Sequence, residues 1–164
     1  MPLRMISVVL AFGLICLTLG LAAPAQAQTP FTLEWKTKMK FGTVASDEAA
    51  GGTIVLSPAA DTTTITGSLT DFGGTIKRGK LRITGGNSKA FVIVSWPSSF
   101  TIRKGTSTHV MTVSNITMNL TNPVKLSNSG AKTIYFGATL TIGADQKKGT
   151  YNDEGGFTID VNYL

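Results

Sequence analysis

The chain has very few of the residues that build reactive sites. It contains one cysteine, Cys16, and one histidine, His109. A zinc site draws on several cysteine and histidine ligands, and this chain offers too few. A Ser–His–Asp triad needs only one histidine, but no nucleophile-elbow motif lies near His109. A P-loop and a dinucleotide fingerprint are also missing. We therefore expect no enzymatic activity, no metal and no cofactor.

Acidic residues are missing from the middle of the chain. Residues 72–144 contain neither Asp nor Glu, while nine Lys and Arg residues lie there. A field of one sign attracts anionic polysaccharide, lipid phosphate or nucleic acid. The alternative is a soluble basic surface without a dedicated partner.

A long apolar run occurs only at the amino end. Arg4 precedes an almost wholly apolar stretch at residues 6–21, and Ala25-Gln26-Ala27 follows as a small-x-small site. This arrangement predicts a signal peptide at residues 1–27, cleaved between Ala27 and Gln28. The alternative is an uncleaved anchor, because the run is just long enough to span a bilayer. We expect export to the periplasm, the cell surface or the medium, with no membrane span after cleavage.

The mature region is expected to form one β-rich domain, residues 28–164. Removing 27 of the 164 residues leaves 137, enough for a single core, and leaves no cysteine. Short alternating runs separated by Gly pairs, Asn, Ser and Pro predict an all-β fold. Their spacing favours a β-sandwich of about nine or ten short strands. The predicted strands are 31–41, 53–57, 63–69, 80–84, 91–96, 99–103, 109–113, 116–120, 133–142 and 157–163.

The first and last of these strands have the clearest alternation. The apolar face of the first carries Phe31, Leu33, Trp35, Thr37, Met39 and Phe41. The apolar face of the last carries Phe157, Ile159, Val161 and Tyr163. Because successive residues of a strand point to opposite faces, both strands are predicted to be half-buried. Each large apolar side chain so buried contributes about 1.5–3 kcal/mol.

Cations occupy alternate positions on two of the predicted strands. One set is Lys36, Lys38 and Lys40, and the other is Arg78, Lys80 and Arg82. If the two faces adjoin, the six cations form an anion-binding face for envelope polysaccharide. Nucleic acid is disfavoured as a partner, because bases stack on exposed aromatic rings and Trp35 and Phe41 point away from the lysines. Lysines on an outer strand face also protect an edge from aggregation.

Several segments in a fixed order resemble a known family. They are Phe-Gly-Thr-Val at 41–44, Gly-Thr-Ile-Val-Leu-Ser-Pro at 52–58, Phe-Val-Ile-Val at 91–94, Trp-Pro-Ser-Ser at 96–99, Val-Met-Thr-Val at 110–113, Gly-Ala-Thr-Leu-Thr-Ile-Gly-Ala at 137–144, Gly-Thr-Tyr at 149–151 and Val-Asn-Tyr at 161–163. Their order and spacing resemble the bacterial domain of unknown function 4402, which is similar to spore coat protein U and, more distantly, to chaperone–usher pilus subunits. The resemblance implies an immunoglobulin-like, pilin-like β-sandwich with a structural, fimbria-like role.

The resemblance also implies a mechanism of assembly. Pilus subunits lack one strand of the sandwich, and a chaperone and then the next subunit supply it by β-strand addition. Like subunits or a periplasmic chaperone are the partners so implied. The residues expected to take part in strand pairing are Phe31, Leu33, Trp35, Phe157, Ile159, Val161 and Tyr163.

One departure from the family leaves three alternatives open. Members often carry a further alternating segment before the region that matches Phe31, whereas predicted cleavage leaves only Gln28, Thr29 and Pro30 there. The chain is then a terminal or non-polymerising subunit, or residues 31–41 are themselves the donor, or the sandwich is self-contained. A self-contained monomer favours the second functional hypothesis, a surface binding module for anionic envelope glycans.

Overall fold

A computed structural model describes residues 28–153 and 155–164. The predicted signal peptide, with Ala27 at its cleavage site, lies outside the described residues. The described residues form strands and contain no helix, so the all-β prediction is confirmed. Accordingly, none of them belongs to an apolar helix long enough to cross a bilayer.

The described residues form fifteen strands. They are β1 (Thr32–Thr37), β2 (Lys40–Phe41), β3 (Val44–Ser46), β4 (Gly52–Leu56), β5 (Thr63–Gly67), β6 (Leu69–Asp71), β7 (Ile76–Lys77), β8 (Gly79–Thr84), β9 (Phe91–Ser95), β10 (Ser99–Arg103), β11 (Val110–Met118), β12 (Val124–Lys125), β13 (Lys132–Ile142), β14 (Asn152–Asp153) and β15 (Asp160–Tyr163).

These strands form two main sheets and two short ribbons. The large sheet has the order β1-β8-β13-β11-β10-β14, and β4 and β5 extend it where β4 pairs with the second half of β13. The small sheet has the order β12-β9-β15. The ribbons are β2-β7 and β3-β6. All the pairings are antiparallel.

The core lies between the two main sheets. Alternate residues of each sheet point inward and are almost fully buried, among them Ile54, Leu81, Ile83, Ile134, Val92, Val94 and Val161. Phe136 is fully buried and its ring lies 5.8 Å from that of Trp35, 5.6 Å from Trp96 and 6.0 Å from Phe157. Aromatic pairs at these separations add about 0.5–1.5 kcal/mol each beyond their burial.

A bulge explains one difference from the predicted strands. The pairing of β11 with β13 shifts register between Ser114 and Thr117, and Asn115 has a φ of 48°. The indole N–H of Trp96 donates a hydrogen bond of 3.1 Å to the carbonyl of Ile116 inside this bulge. The two strands predicted at 109–113 and 116–120 are therefore one bulged strand, since a bulge interrupts alternation without ending the pairing.

The strand count and the two terminal strands also need correction. The predicted strand 31–41 shifts register between Trp35 and Thr37, breaks at residues 38–39 and resumes as β2, which pairs with β7. The predicted strand 157–163 pairs only from Asp160 onward. A count of nine or ten was too low because alternation does not reveal where a partner strand ends, and several two-residue strands carry no pattern.

Candidate strand-docking groove

The last strand, β15, has one free edge. It pairs with β9, where Val161 lies opposite Val94 and Tyr163 opposite Val92. The N–H of Leu164 donates a hydrogen bond of 3.0 Å to the carbonyl of Phe91. Because antiparallel hydrogen bonding alternates along a strand, the backbone groups of Val161 and Tyr163 point to the opposite edge. No strand of the described residues pairs with that edge.

The far side of β9 is closed, unlike the free edge of β15. The two-residue strand β12 covers Val92, which lies opposite Val124. The side-chain amide of Asn122 covers Val94, accepting its N–H at 3.1 Å and donating to its carbonyl at 2.8 Å. Of the two outer strands of the small sheet, the four-residue β15 therefore offers a longer unpaired edge than the two-residue β12.

Strand β1 and the C-terminal segment face each other along one side of the sandwich. The ring of Phe31 lies 5.1 Å from that of Tyr163, and the ring of Trp35 lies 5.4 Å from that of Phe157. The two segments run in opposite directions and belong to different sheets. The structure thus brings together four of the residues predicted to take part in strand pairing.

The side chain of Leu33 is partly exposed between these two contacts. Leu33 lies opposite Ile83, and cross-strand partners project from the same face of a sheet. Ile83 is fully buried, whereas Leu33 remains 37% exposed. An inward-facing leucine is therefore partly exposed between the two aromatic contacts that join β1 to the C-terminal segment. We define the groove by β15, Leu33 and the aromatic contacts at its two ends.

A deep cleft marks one end of the groove. It has a volume of about 640 Å³, and its walls come from β1, β2, β10 and β14. Its apolar lining consists of Trp35, Met39, Phe41, Phe100, Ile102 and Phe157. Phe100 stacks on Phe157 with ring centroids 5.0 Å apart. The sequence did not reveal that Phe100 and Ile102 belong here, although their place on β10 follows from the strand predicted at 99–103.

The residues before β1 occupy the other end of the groove. A hollow of about 330 Å³ lies there between Gln28, Pro30 and Phe31 on one side and residues 161–163 on the other. The phenol of Tyr163 donates to the carbonyl of Thr29 at 2.6 Å and accepts the N–H of Asn87 at 2.9 Å. The N–H of Thr29 in turn donates to the side-chain oxygen of Asn87 at 3.1 Å. Three separate segments are thereby joined at Tyr163.

The remaining two residues predicted for strand pairing belong to the C-terminal segment on the same side of the sandwich. Val161 is buried at 9% exposure, and Ile159 is half-buried and precedes the strand. Both pack against the core. All seven predicted residues therefore lie along this one side of the sandwich.

A comparison with protein families finds one match, which covers almost all of the described residues. The family described as a domain of unknown function (DUF4402) matches residues 31–163. The chain belongs to this family. The match begins at Phe31 and ends at Tyr163, the two rings that meet across the groove. No curated protein and no solved structure matches the chain.

Five of the six cations predicted as an anion-binding face lie in three places in this family member, and the sixth, Arg78, lies between β7 and β8. Strand β1 lies beside β8, with Glu34 opposite Arg82 and Thr37 opposite Lys80, so Lys36 is near both cations. Lys40 lies opposite Lys77 in the β2-β7 ribbon, and Lys38 lines the cleft. They do not form one row, because β1 breaks after Thr37.

Two of the six cations are already engaged. Lys36 forms an ion pair with Glu34. The guanidinium of Arg78 donates to the carbonyl of Pro58 at 3.2 Å and lies 3.8 Å from the ring centre of Tyr135. Lys80 lies 5.9 Å from the same ring.

A carboxylate anchors the turn that leads into β8. Asp61 accepts hydrogen bonds from the ammonium of Lys77 at 2.7 Å and from the backbone N–H of Arg78 at 3.0 Å. The hydrogen bond from Lys77 is the largest cause that lowers the pKa of Asp61 from its ordinary value of 3.8, and the hydrogen bond from the N–H of Arg78 is the second largest. Elsewhere in residues 28–153 and 155–164, no three His, Cys, Asp or Glu side chains gather as metal ligands would.

Proposed function

We propose that this chain is an exported structural protein of the cell envelope, a fimbria-like subunit that assembles by β-strand addition at the free edge of β15. The exposed, inward-facing side chain of Leu33 beside that unpaired edge is the observation that carries the proposal. A partly exposed, inward-facing leucine in this position supports a sandwich that is completed by another chain.

The groove meets the physical requirements of strand addition. Unpaired backbone groups on an edge strand are a template for another strand. Val161 and Tyr163 direct their N–H and carbonyl groups to that edge, and residues 28–31 lie across a hollow from it at the Tyr163 end. In strand addition, the main-chain hydrogen bonds supply affinity and pockets for alternate side chains supply specificity. The cleft beside Phe157 is a pocket of that kind.

Export and partners belong to the same proposal. The predicted signal peptide at residues 1–27 and the cysteine-free region that follows support a location in the periplasm, on the cell surface or outside the cell. Like subunits or a periplasmic chaperone are the proposed partners. Both would present an extended segment to β15.

The native mass of the protein in its own envelope tests the proposal. We expect gel filtration with light scattering to give multimers, and detergent gels to give a ladder that disappears on heating. The variant Val161→Pro should abolish the ladder, because proline removes an N–H that β15 directs to the free edge. A monomer in the native envelope would contradict the proposal.

A matched variant separates edge pairing from core packing. Val161→Ala truncates the same buried side chain but keeps the backbone N–H. We expect Val161→Ala to retain multimers at a temperature where it is still folded. If Val161→Ala and Val161→Pro lose the ladder equally, the loss comes from packing and the free edge is not the assembly site.

A second candidate function is a monomeric binding module for anionic envelope glycans. Lys80 and Arg82 point outward on β8, Lys80 lies 5.9 Å from the ring of Tyr135, and neither cation forms an ion pair among the described residues. Binding to envelope polysaccharide should weaken steeply with salt, because the attraction between exposed charges is screened. The double variant Lys80→Ala/Arg82→Ala should lower this binding, and salt-insensitive binding would exclude the module.

A further inference from the structure

The cleft beside Phe157 has cations on one wall. Lys38 and Lys40 line it and are exposed, and neither forms an ion pair within residues 28–153 and 155–164. The described acid that lines it is Asp153. One oxygen of that carboxylate accepts the N–H groups of Gly155 at 3.0 Å and Gly156 at 2.8 Å, so it holds its own turn.

The free part of the groove leads into this cleft. The Tyr163 end is occupied by residues 28–31, which Tyr163 and Asn87 hold in place. A strand added along β15 therefore reaches open space at the Phe157 end. Its last apolar side chain would meet the aromatic lining of Trp35, Phe100 and Phe157, and its neighbouring polar side chain would lie near Lys38 and Lys40.

We propose that the strand received by this groove comes from a different chain, with alternating apolar side chains and a carboxylate at the end that enters the cleft. The inference rests on the proposed function, since it names the chemistry of the strand that is added. Two cations beside an apolar lining are complementary to a carboxylate next to an apolar side chain. The cleft then selects its partner by charge as well as by shape.

The same charges argue against β1 of a second copy as the added strand. The polar positions of that segment are Glu34, Lys36, Lys38 and Lys40, so the end of the segment is cationic. Inserted into the cleft, it would bring like charges close to Lys38 and Lys40. Like charges on neighbouring strands destabilise the pairing. Residues 31–41 are therefore a poor donor, although the sequence left them open as one.

Synthetic strands test the inference directly. The probes are dye-labelled, terminally blocked peptides of alternating Val and Thr, with Asp, Asn or Lys at the end next to the last Val. Each peptide is made in two versions, with the variable residue at the amino end or at the carboxyl end. Binding to residues 28–164 is measured by fluorescence anisotropy. We expect the Asp peptide to bind about tenfold more tightly than the Lys peptide, with the Asn peptide between them.

Charge reversal at the cleft should reverse this order. In the double variant Lys38→Glu/Lys40→Glu, the Lys peptide should bind more tightly than the Asp peptide. The control Lys89→Glu/Lys125→Glu makes the same change of charge beside β9, away from the cleft, and should keep the original order. Raising the salt concentration should reduce the difference between the Asp and Lys peptides in the unsubstituted protein.

The outcomes separate this inference from the proposed function. Peptides that bind alike whatever their terminal charge, or a preference that Lys38→Glu/Lys40→Glu does not change, would overturn the inference while leaving strand addition standing. Equal binding of a peptide with the sequence of residues 31–40 would overturn it in favour of a second copy. Charge-selective binding that survives Val161→Pro would contradict pairing at the β15 edge but support the cleft. Failure of every peptide to bind would contradict both.

Discussion

The phenol of Tyr163 donates a hydrogen bond of 2.6 Å to the carbonyl of Thr29, joining positions 134 residues apart in the sequence. The same oxygen accepts the N–H of Asn87 at 2.9 Å. One side chain thus holds the segment before β1, the loop before β9 and the last strand in a single arrangement. In the proposed assembly, it would also limit how far along the β15 edge an added strand can extend.

Replacing Tyr163 by Phe should loosen this arrangement without removing the ring. Both hydrogen bonds are lost, and we expect the free energy of unfolding to fall by about 1–3 kcal/mol. Amide hydrogen exchange at residues 29 and 87 should rise. Tyr135→Phe is the control, since the Tyr135 hydroxyl makes no hydrogen bond among the described residues, and its stability should change little. Equal losses in the two variants would contradict the role of the Tyr163 hydroxyl.

Leu33 and Ile83 should differ sharply in their cost of truncation, although they are cross-strand partners. Ile83→Ala removes a fully buried side chain and should cost about 2–5 kcal/mol. Leu33→Ala removes a side chain that is 37% exposed and should cost less than about 1.5 kcal/mol in the isolated domain. Denaturant unfolding of the monomer measures both. A large loss for Leu33→Ala would mean that this side chain is already covered.

In the proposed assembly, the effect of Leu33→Ala should be larger than in the monomer. An added strand would bury Leu33, so its truncation should lower the temperature at which the multimers separate by more than it lowers the unfolding temperature of the monomer. If both temperatures fall by the same amount, the added strand does not lie over Leu33.

Asp61 should stabilise the fold in a pH-dependent way. Its pKa in the folded protein lies below the ordinary 3.8, because the carboxylate is bound by Lys77 and by the N–H of Arg78. A lowered pKa contributes stability above the unfolded value, and this contribution is lost as the pH falls through the folded value. The unfolding temperatures of the protein and of Asp61→Asn should therefore differ at neutral pH and converge as the pH falls below 3.8. Asp160→Asn, which removes an exposed carboxylate without an ion pair among the described residues, is the control for the loss of one negative charge.

Two glycines with positive φ should respond differently to alanine. Gly130 has a φ of 65°, and a Cβ there would lie 1.7 Å from the carbonyl oxygen of Gly86. Gly105 has a φ of 51°, and a Cβ there would meet nothing within 4 Å. Gly105→Ala should cost about 1–2 kcal/mol from the left-handed backbone alone. Gly130→Ala should cost more, about 2–5 kcal/mol, because the backbone must also move apart. Thermal unfolding would contradict the expected order if Gly105→Ala proved the more damaging.

The sequence predicted the local features of the fold well. Alternation in the first and last strands identified Trp35, Val161 and Tyr163 as inward-facing, and all three pack against the core. The all-β class followed from the turn residues between the short runs. The segments in their fixed order were sufficient to recognise the family, whose match covers residues 31–163. These features depend on neighbouring residues in the chain, because the face to which a strand residue points has a period of two.

Only the tertiary structure decided which edges are paired and which side chains are covered. Leu33 has the same alternation as Trp35, yet it is exposed because no strand of the described residues lies over it. Lys36 and Lys40 belong to one alternating run, yet β1 breaks between them and directs Lys40 to a different partner strand. Strand pairing joins segments that are far apart in the chain, so alternation specifies the face of a residue but not its partner. The free edge of β15 and the cleft beside Phe157 exist for that reason only in the folded chain.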